Sequence, residues 1–313
     1  MITGSQGQDG VLLRQLLESQ GIEVIGFSRP NTTPKNAVLN YSKDQDFKVD
    51  LGNFEDCLNA VGLMKPDTIF HLAAEHAPSH IMKTANWAAK RALVYRTHVL
   101  ITENFVKSIL ETDLECQLIV AGSSRMYTAE GAPMRVNERT ATKAIDFYGT
   151  TKVAAWQVLR DYREKYGLAL KMAILFNHES KLRKSGYLFN DLASQIRMYI
   201  SGEQDFIVLR DPDFKGDWHA ARDTMAGLQI MAENSDVGDL VLASGILMTV
   251  REIVESYFET YSTKLMPRIV VSHEVSSSEN NHELVGDSSL AENFGWVRSH
   301  TISNVLHEFI SDI

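Results

Sequence analysis

Apolar and polar positions follow two different periods along the first 176 residues. Short apolar runs, typical of buried strands, are followed by segments in which apolar residues recur every three or four positions, as in amphipathic helices. The pattern predicts strands over 22–27, 68–74, 117–121 and 170–176, and a further short strand segment that ends at 49–51. It predicts helices over 11–17, 54–63, 87–110 and 148–166. This regular alternation predicts an α/β fold, a Rossmann-like doubly wound parallel sheet.

The remainder of the chain is more mixed and more polar. One further strand is expected at 239–243, so residues 1–176 and a returning segment, 231–255, are expected to form the sheet domain. Residues 177–230 and 256–313 are expected to form a smaller C-terminal substrate-binding lobe. The first strand should be central, yet only Met1 and Ile2 precede the glycine turn, where ~5 residues are usual. Either this strand is stunted or the true start lies upstream.

Composition and charge exclude several classes of protein. The 313 residues are 44% hydrophobic and carry a formal net charge of -9, which argues against non-specific binding to nucleic acid or to an anionic membrane surface. No run approaches the ~18 apolar residues of a membrane span, and no signal-peptide profile is present, so a cytoplasmic protein is expected. Cys57 and Cys116 are far apart and form no Cys-x-x-Cys motif, so neither a disulfide framework nor a metal site is expected.

A glycine-rich turn follows the first strand and precedes the first helix. Gly4, Gly7 and Gly10 have Gly-x-x-Gly-x-x-Gly spacing, with Gln8 and Asp9 between the last two. Missing side chains let a backbone approach a pyrophosphate, and the N–H groups and dipole of a helix N-terminus attract its charge. The turn therefore predicts a dinucleotide site, although a glycine-rich turn without a ligand is the alternative.

The residues at the end of the second strand predict which dinucleotide is bound. NAD-binding proteins usually place an acidic residue there on the ribose hydroxyls, whereas this chain has Ser28 and Arg29. A hydroxyl followed by a guanidinium suits a 2′-phosphate, so NADP is favoured over NAD, and a solvated arginine on a loop is the alternative. The ends of the next two strands supply the other expected cofactor contacts: Asp50, Leu51, Leu72, Ala73 and Ala74.

Tyr148 and Lys152 indicate proton transfer beside a nicotinamide. On a helix, positions i and i+4 share a face, so the Lys152 ammonium can lower the pKa of the Tyr148 phenol from about 10 and make it a base near neutral pH. The Tyr-x-x-x-Lys pattern alone is common on surface helices, so the prediction of a catalytic pair depends on the motifs that precede it in the chain. Ser123 follows a strand and lies 25 positions before Tyr148, and we expect it to complete a catalytic group.

Together these motifs resemble the extended short-chain dehydrogenase/reductase family and, within it, the GDP-mannose 4,6-dehydratases. The resemblance extends over nearly the whole chain, and its most specific piece is the Phe-Asn-His-Glu-Ser run at 176–180. The segments that carry it are 2–10, 71–74, 121–124, 148–152, 162–167, 174–180, 217–218, 249–252 and 286–287. The resemblance implies a bound NADP, a hydride taken from sugar C4, loss of water across C5 and C6, and return of the hydride to C6.

The resemblance also implies roles for individual residues. Tyr148 would be the base for the C4 hydroxyl, Lys152 would hold the ribose and tune Tyr148, and Ser123 would replace the family's threonine. Phe176 and His178 are assigned to the cofactor, and Ser124, Arg125, Asn177, Glu179 and Arg251 to a nucleotide-sugar substrate, GDP-linked. The helices over 87–110 and 148–166 are expected to form a homodimer or tetramer interface, as the family implies.

The chain departs from the family pattern in three places. Arg125 stands where the family has the glutamate that removes the C5 proton, and a guanidinium cannot act as a base at working pH. Loss of such a base typically costs ~10² to 10⁴ in rate. Gly216 replaces a family arginine, and 276–279 replaces an Arg-Pro-x-Glu segment. The candidate substitutes for the C5 base are Glu75, His76 and Glu179.

These departures leave three functions open. The first is an NADP-dependent 4,6-dehydratase of GDP-mannose type. The second keeps C4 redox chemistry without elimination, as in a nucleotide-sugar 4-reductase or epimerase, and the third is a catalytically silent cofactor-binding paralogue. Some candidate residues also have structural interpretations: His178 and Glu179 as partners at a strand end, Asp217 as a local cap or local pair, and Trp218 as core.

Overall fold

The computed structural model describes residues 1–28, 46–75, 87–130, 132–183, 185–261, 264–272 and 283–311. Three sequence expectations, on Arg29, His76 and the 276–279 segment, lie outside these ranges. The strands are β1 (Ile2–Thr3), β2 (Gly26–Ser28), β3 (Phe47–Lys48), β4 (Thr68–His71), β5 (Gln117–Ala121), β6 (Met134–Val136), β7 (Leu170–Leu175), β8 (Asn177–Glu179), β9 (Phe206–Leu209), β10 (Lys215–Ala220), β11 (Leu240–Leu242), β12 (Leu247–Thr249), β13 (Arg268–Val271) and β14 (Leu284–Gly286).

The helices are α1 (Gln8–Ser19), α2 (Phe54–Met64), α3 (Trp87–Tyr95), α4 (Ile101–Thr112), α5 (Phe147–Tyr166), α6 (Leu188–Ser201), α7 (Ala221–Glu233), α8 (Val250–Tyr261), α9 (Ser289–Asn293) and α10 (Ile302–Ser311). A π-helical turn, hereafter the π turn (Arg96–Leu100), joins α3 to α4, and a short 3₁₀ helix covers Ser124–Met126. Among the described residues, no helix combines the length and apolarity that crossing a bilayer requires.

The main sheet has seven strands in the order β11-β7-β5-β4-β1-β2-β3. The pairs from β3 to β7 are all parallel. This order reverses between β1 and β4, which is the place where doubly wound sheets open a crevice at the carboxyl ends of their strands. The predicted Rossmann-like fold is confirmed.

The first strand is only two residues long, and its shortness explains why the predicted start of the second strand is wrong. The sequence pattern predicts a strand over 22–27, but β2 covers Gly26–Ser28. The Ile2 N–H donates to the Ile25 carbonyl at 2.8 Å, so pairing begins at Ile25. Residues 22–24 precede that point and have no residue of β1 to pair with.

The long helix predicted over 87–110 is interrupted. Its sequence is continuously helical in pattern, yet the π turn separates α3 from α4. The carbonyl of Thr97 in this turn accepts a hydrogen bond from the His71 ring at 3.0 Å, and Arg96 reaches Asp50. These contacts involve His71 in β4 and Asp50 just after β3, so periodicity within the helix could not predict them.

The chain divides into two compact units. The first comprises Met1–Thr128, Glu138–Leu175 and Met225–Leu240, and it contains the main sheet up to β7. The second comprises Ala129–Asn137, Phe176–Thr224 and Val241–Ile313. The segment that returns to the first unit is thus 225–240 rather than the expected 231–255, and 129–137 belongs to the second unit. Assignment of the second unit to substrate binding remains a prediction.

The second unit has its own core. Helices α6, α8 and α10 bury their apolar faces there with β9 and β10, and Phe189, Ile253 and Leu306 are completely buried. Its strands form a β12-β10-β8 sheet and the parallel pairs β9–β13 and β6–β14. Trp218 belongs to this core, as the sequence suggested.

Candidate active site

The glycine turn leaves the N-terminus of α1 open to a ligand. Gly4 has φ +69°, and its carbonyl accepts the Gly7 N–H at 2.8 Å, which closes the turn. A Cβ at Gly10 would lie 2.4 Å from the Gly4 carbonyl oxygen, so this position requires glycine. The N-cap residue of α1 is Gly7, which has no side chain to cap the helix. The first N–H groups of the helix therefore suit a pyrophosphate.

The end of β2 fits an additional polar ligand. The Ser28 hydroxyl oxygen is buried and has no hydrogen-bond partner among the residues that the structure describes. Buried hydroxyl groups are normally satisfied, and a bound polar group could act as the partner of this one. A ribose hydroxyl or a 2′-phosphate at this strand end would do so.

Asp50 and Leu51, at the expected adenine edge, are tied to the helices behind them. The Asp50 carboxylate accepts from the Arg96 guanidinium at 2.5 Å and from the Gly52 N–H at 3.2 Å. The Leu51 carbonyl accepts from the Asn104 amide at 2.9 Å. This edge is thus fixed by interactions with the π turn and α4.

A buried network connects the end of β4 to the glycine turn. The His71 ring donates through Nε2 to the Thr97 carbonyl and accepts at Nδ1 from the Thr3 hydroxyl at 2.8 Å. The Thr3 oxygen accepts in turn from the Ala73 N–H at 3.2 Å. Burial, followed by the nearby Lys152 charge, lowers the pKa of His71 to about 3, so the ring stays neutral. The network fixes the backbone at Ala73, which lies between Leu72 and Ala74; all three are predicted cofactor contacts.

Helix α5 presents Tyr148 and Lys152 from a firmly capped N-terminus. The Asp146 side chain accepts from the Gly149 N–H at 2.8 Å, as an N-cap should. A Cβ at Gly149 would lie 2.0 Å from the Arg125 carbonyl oxygen, so α5 approaches the 3₁₀ segment closely. The Lys152 ammonium lies 5.7 Å from the centre of the Tyr148 ring. The structure therefore places the two residues on one face.

Lys152 is almost completely buried. Its side chain is 2% exposed, and Nζ donates to the Ala121 carbonyl at 2.7 Å. Burial lowers the pKa of Lys152 to about 7, although the negative charge of Asp9 partly opposes this effect. A negative charge bound nearby would favour the ammonium form. Lys152 is thus adjustable by charges brought into the site.

The segment after β5 places Ser123 beside Arg125. The Ser123 hydroxyl oxygen accepts from the Arg125 N–H at 3.2 Å, and Ser124 begins the 3₁₀ helix. The Arg125 guanidinium binds the Asp146 carboxylate, through Nε at 3.0 Å and also through a terminal nitrogen. Arg125 is therefore a partner of the α5 cap, and it does not provide the base that the family places here.

The remaining predicted site residues lie in the second unit. Phe176 is buried and its carbonyl accepts from the His178 ring at 2.7 Å, while Asn177 begins β8. The Glu179 carboxylate accepts from the Arg183 guanidinium at 3.0 Å. Arg251, at the start of α8, lies 3.7 Å from the Asp213 carboxylate. The ion pair with Arg183 favours a structural role for Glu179 in the second unit.

Gly216 and its neighbours show how the altered Gly-Asp-Trp segment is built. A Cβ at Gly216 would lie 2.7 Å from the Trp218 indole, so the ring occupies the space beside this glycine. Asp217 is 1% exposed and accepts from the N–H groups of Ser244, Gly245 and Gly286 at 2.7 to 3.0 Å. The expected local cap or local pair for Asp217 is wrong, because these three partners lie 27 to 69 positions along the chain.

The second unit also contains a cavity of about 840 Å³ between α6 and the β9 region. Its wall is mainly apolar, with Leu188, Leu192 and Phe214, and includes the polar groups of Asp191 and Arg210. The Arg210 side chain is 74% exposed and lies 4.0 Å from the Asp191 carboxylate. Pockets of this size accept ligands of a few hundred daltons.

Comparison with known proteins gives the family. The family model described as GDP-mannose 4,6 dehydratase matches residues 1–309. The chain belongs to the GDP-mannose 4,6-dehydratase family. The resemblance inferred from the motifs is confirmed.

Two relatives of this family show how distant the similarity is. A GDP-mannose 4,6-dehydratase of Sordaria araneosa is 25% identical over 334 residues, which cover 100% of this chain and 60% of the relative. A GDP-mannose 4,6-dehydratase of Sinorhizobium fredii (strain HH103) is 28% identical over 269 residues, 83% of this chain and 75% of the relative. The chain thus spans less than two thirds of the Sordaria protein.

Solved structures agree with the family fold. The UDP-glucose 4-epimerase of Thermus thermophilus, solved in complex with NAD, superposes with a TM-score of 0.78 at 18% identity and covers 100% of this chain and 99% of its own. RMD from Pseudomonas aeruginosa, complexed with NADPH, gives a TM-score of 0.77 at 18% identity over 99% and 97% of the two chains. At this identity the likeness shows the fold alone.

Sequence reasoning missed three residues that organise this family site. Asp146 could have been recognised, because an aspartate directly before an apolar helix start is a frequent N-cap. Thr3 and His98 carry no such signal, because their contacts are with residues about 70 and 50 positions away. His98 packs edge-on against the Tyr148 ring, with the two ring centres 4.9 Å apart.

Proposed function

We propose that the protein is an NADP-dependent enzyme that oxidises a GDP-linked hexose at C4 and removes water across C5 and C6, in the manner of its family. The observation that carries the proposal is the buried Lys152 beside Tyr148, in the unit that also holds the open glycine turn. A lysine is rarely buried without a function or a full set of partners. The family membership supports the same chemistry.

In this proposal, Tyr148 accepts the proton of the C4 hydroxyl as C4 becomes a ketone. Ser123 donates a hydrogen bond to the C4 oxygen, and Lys152 binds the nicotinamide ribose and stabilises the Tyr148 phenolate when charged. NADP⁺, which the glycine turn and Lys152 would hold, would supply the hydride acceptor for C4 and the hydride donor for C6. A base removes the C5 proton and the C6 hydroxyl group leaves as water, which forms a C5–C6 double bond. Addition of the hydride at C6 and of a proton at C5 then completes a net loss of one water.

This mechanism requires a group that accepts the C5 proton. Arg125 cannot accept the proton and is bound to Asp146. In the first unit, Glu75 directly follows the Ala73–Ala74 segment, and its carboxylate binds Lys90. In the second unit, Glu179 is bound to Arg183. We propose Glu75 as the substitute, because it shares a unit with Tyr148 and its backbone N–H contacts His98, which packs on the Tyr148 ring.

The preference for NADP rests on Ser28 and on the adjacent Arg29. The buried Ser28 hydroxyl has no hydrogen-bond partner within the described ranges, so it fits a group on the adenosine ribose. The guanidinium of the next residue suits a phosphate there. Solved neighbours of the same fold contain NAD in one case and NADPH in another. Comparing the dissociation constants of NADPH and NADH would test this part directly; tighter binding of NADH would contradict it.

The preference for a GDP-linked substrate rests on the family and on the cavity of the second unit. A guanine base presents two adjacent N–H donor groups, which a carboxylate such as that of Asp191 can accept. Arg210, in the same wall, can pair with phosphate oxygens. The cavity volume of about 840 Å³ is sufficient for a nucleoside diphosphate.

A second candidate is favoured by Arg125. If no carboxylate removes the C5 proton, the Tyr148 centre still exchanges a hydride at C4, and the protein is a nucleotide-sugar 4-reductase or epimerase. The retained Ser123, Tyr148 and Lys152 argue against the third candidate, a catalytically silent paralogue.

One experiment separates these functions. The protein is incubated with GDP-mannose and NADP⁺, and the products are analysed by mass spectrometry. Loss of one water without net NADPH formation supports the dehydratase. In a parallel incubation with NADPH and a GDP-linked 4-keto-6-deoxyhexose, stoichiometric NADPH oxidation supports the reductase. C4 inversion of GDP-mannose without a mass change supports the epimerase. If the protein binds NADP but forms no product from any GDP-hexose, the catalytically silent paralogue is supported. An unchanged biological activity in Tyr148→Phe would support it as well.

We also propose that two copies associate through α3, α4 and α5, as the family resemblance implies. Tyr95, near the π turn, has 51% of its surface exposed, which is high for a large aromatic side chain. Sedimentation equilibrium should give a dimeric or tetrameric mass. A monomeric mass at micromolar concentration would contradict the proposal.

A further inference from the structure

The π turn contacts three separate parts of the candidate active site with three consecutive residues. Arg96 binds Asp50 at the end of β3, and the Thr97 carbonyl accepts from His71 at the end of β4. His98 reaches α5. Wide turns of this kind interrupt α-helices frequently at functional sites. Here the turn redirects His98 toward the helix that carries Tyr148.

The hydrogen bonds of His98 fix its protonation and its orientation. Its Nε2 accepts from the Glu75 N–H at 3.3 Å, so this nitrogen carries no proton. The proton is then on Nδ1, which donates to the Thr151 hydroxyl at 2.8 Å. The Thr151 hydroxyl donates to the Tyr148 carbonyl at 2.8 Å. Each donor in this series has an acceptor, so the imidazole is held neutral and in one plane.

The His98 ring also contacts the Tyr148 ring directly. The ring centres are 4.9 Å apart and the ring planes are at 87°, which is the edge-to-face arrangement that aromatic pairs favour. His98 is 1% exposed, so the contact excludes water from that side of Tyr148. Tyr148 is therefore constrained twice, at its backbone through Thr151 and at its ring.

We propose that His98 is a positioning residue that orients the Tyr148 phenol for proton transfer, a role that rests on the proposed function of Tyr148. The imidazole does not itself exchange a proton with the substrate, because both of its nitrogens are engaged with protein groups. Misplacement of a reacting group by about 1 Å can cost ~10²-fold in rate, so the loss of this constraint affects the chemical step.

The first test measures Tyr148 without any substrate. Protein labelled with [ζ-¹³C]tyrosine is studied by NMR, and the Tyr148 resonance is identified by its absence in Tyr148→Phe. His98→Leu fills the space without the hydrogen bonds or the aromatic edge, and we expect it to shift or broaden this resonance. His98→Asn retains a donor for Thr151, and we expect it to move the resonance back toward its wild-type position.

A matched control is His219→Leu. His219 is 2% exposed and its Nε2 bonds to the Thr224 hydroxyl at 2.7 Å, so it is another buried histidine paired with a threonine. It should lower stability without moving the Tyr148 resonance. If His219→Leu shifts that resonance as much as His98→Leu does, or if His98→Leu leaves it unchanged, the proposal is wrong.

The second test uses turnover of whichever GDP-hexose the protein accepts. His98→Leu should lower kcat by ~10- to 100-fold while KM changes by less than ~3-fold, and His98→Asn should recover at least ~5-fold of the loss. A change confined to KM would overturn the positioning role. If no GDP-hexose reacts, the proposed function fails, and the NMR result still decides whether His98 orients Tyr148.

Discussion

Replacing Lys152 by methionine should stabilise the cofactor-free protein at neutral pH while it abolishes turnover. Burial lowers the pKa of Lys152 from 10.5 to about 7. Between these two values the unfolded chain binds a proton that the folded protein has lost. Stability therefore rises with pH across this window, because protonation there favours the unfolded state. Methionine has a similar length and no charge, so it removes this dependence.

The magnitude follows from the two pKa values. Each pH unit between them corresponds to ~1.4 kcal/mol, so the burial of Lys152 costs roughly 4 to 5 kcal/mol of folding free energy at pH 7 and below. About half of this cost is relieved at pH 9. Methionine leaves the Ala121 carbonyl without its donor, which costs about 1 kcal/mol. We expect a net stabilisation of about 3 kcal/mol at pH 7 and about 1 kcal/mol at pH 9.

The assay is urea unfolding of cofactor-stripped protein at pH 7 and pH 9, followed by circular dichroism. Lys171→Met is the matched control, since Lys171 is also buried but donates to three acceptors: the Gln117 side chain and the Met231 and Asn234 carbonyls. That variant should be less stable than the wild type at both pH values. Equal changes in unfolding free energy between pH 7 and 9 for the wild type and Lys152→Met would refute the reasoning.

Three further predictions follow from local geometry. Gly10→Ala brings a methyl group to 2.4 Å from a backbone carbonyl, so NADPH affinity measured by calorimetry should fall at least ~10-fold; unchanged affinity would contradict the tight turn. Asn53 caps α2 through the Asp56 N–H at 3.1 Å, so Asn53→Ala should lose ~1 kcal/mol in urea unfolding, and an unaltered midpoint would argue against the cap. Burial raises the pKa of both Cys57 and Cys116 to about 12, so a thiol reagent at pH 8 should label them only after denaturation; rapid labelling of the native protein would show that they are accessible.

The parts of the site that the sequence predicted are those with local determinants. The turn from Gly4 to Gly10 and the placement of Tyr148 and Lys152 on one helix face depend on spacing within ten residues. Glycine spacing and helical periodicity are visible in a single sequence, and here the folded chain retains both. Whether these residues perform the predicted chemistry remains a prediction.

The parts that the sequence could not predict depend on partners far along the chain. The π turn is stabilised by contacts with Asp50 and His71, and no feature of its own sequence marks it. Arg125 could be recognised as an unsuitable base, but its pairing with Asp146 joins residues 21 positions apart on different elements. The start of β2 depended on the length of β1, since a strand extends only as far as its neighbour pairs with it.

The contact between Gly216 and Trp218 also restricts how this protein can evolve. The family pattern has an arginine before the Asp-Trp pair, whereas here the indole lies 2.7 Å from the position of a Cβ at 216. An arginine restored by a single substitution would meet this ring, and the ring packs on Phe214 with centres 6.0 Å apart. An arginine at 216 would therefore require a different Trp218 rotamer. The side chains that fit at 216 and at 218 thus depend on each other.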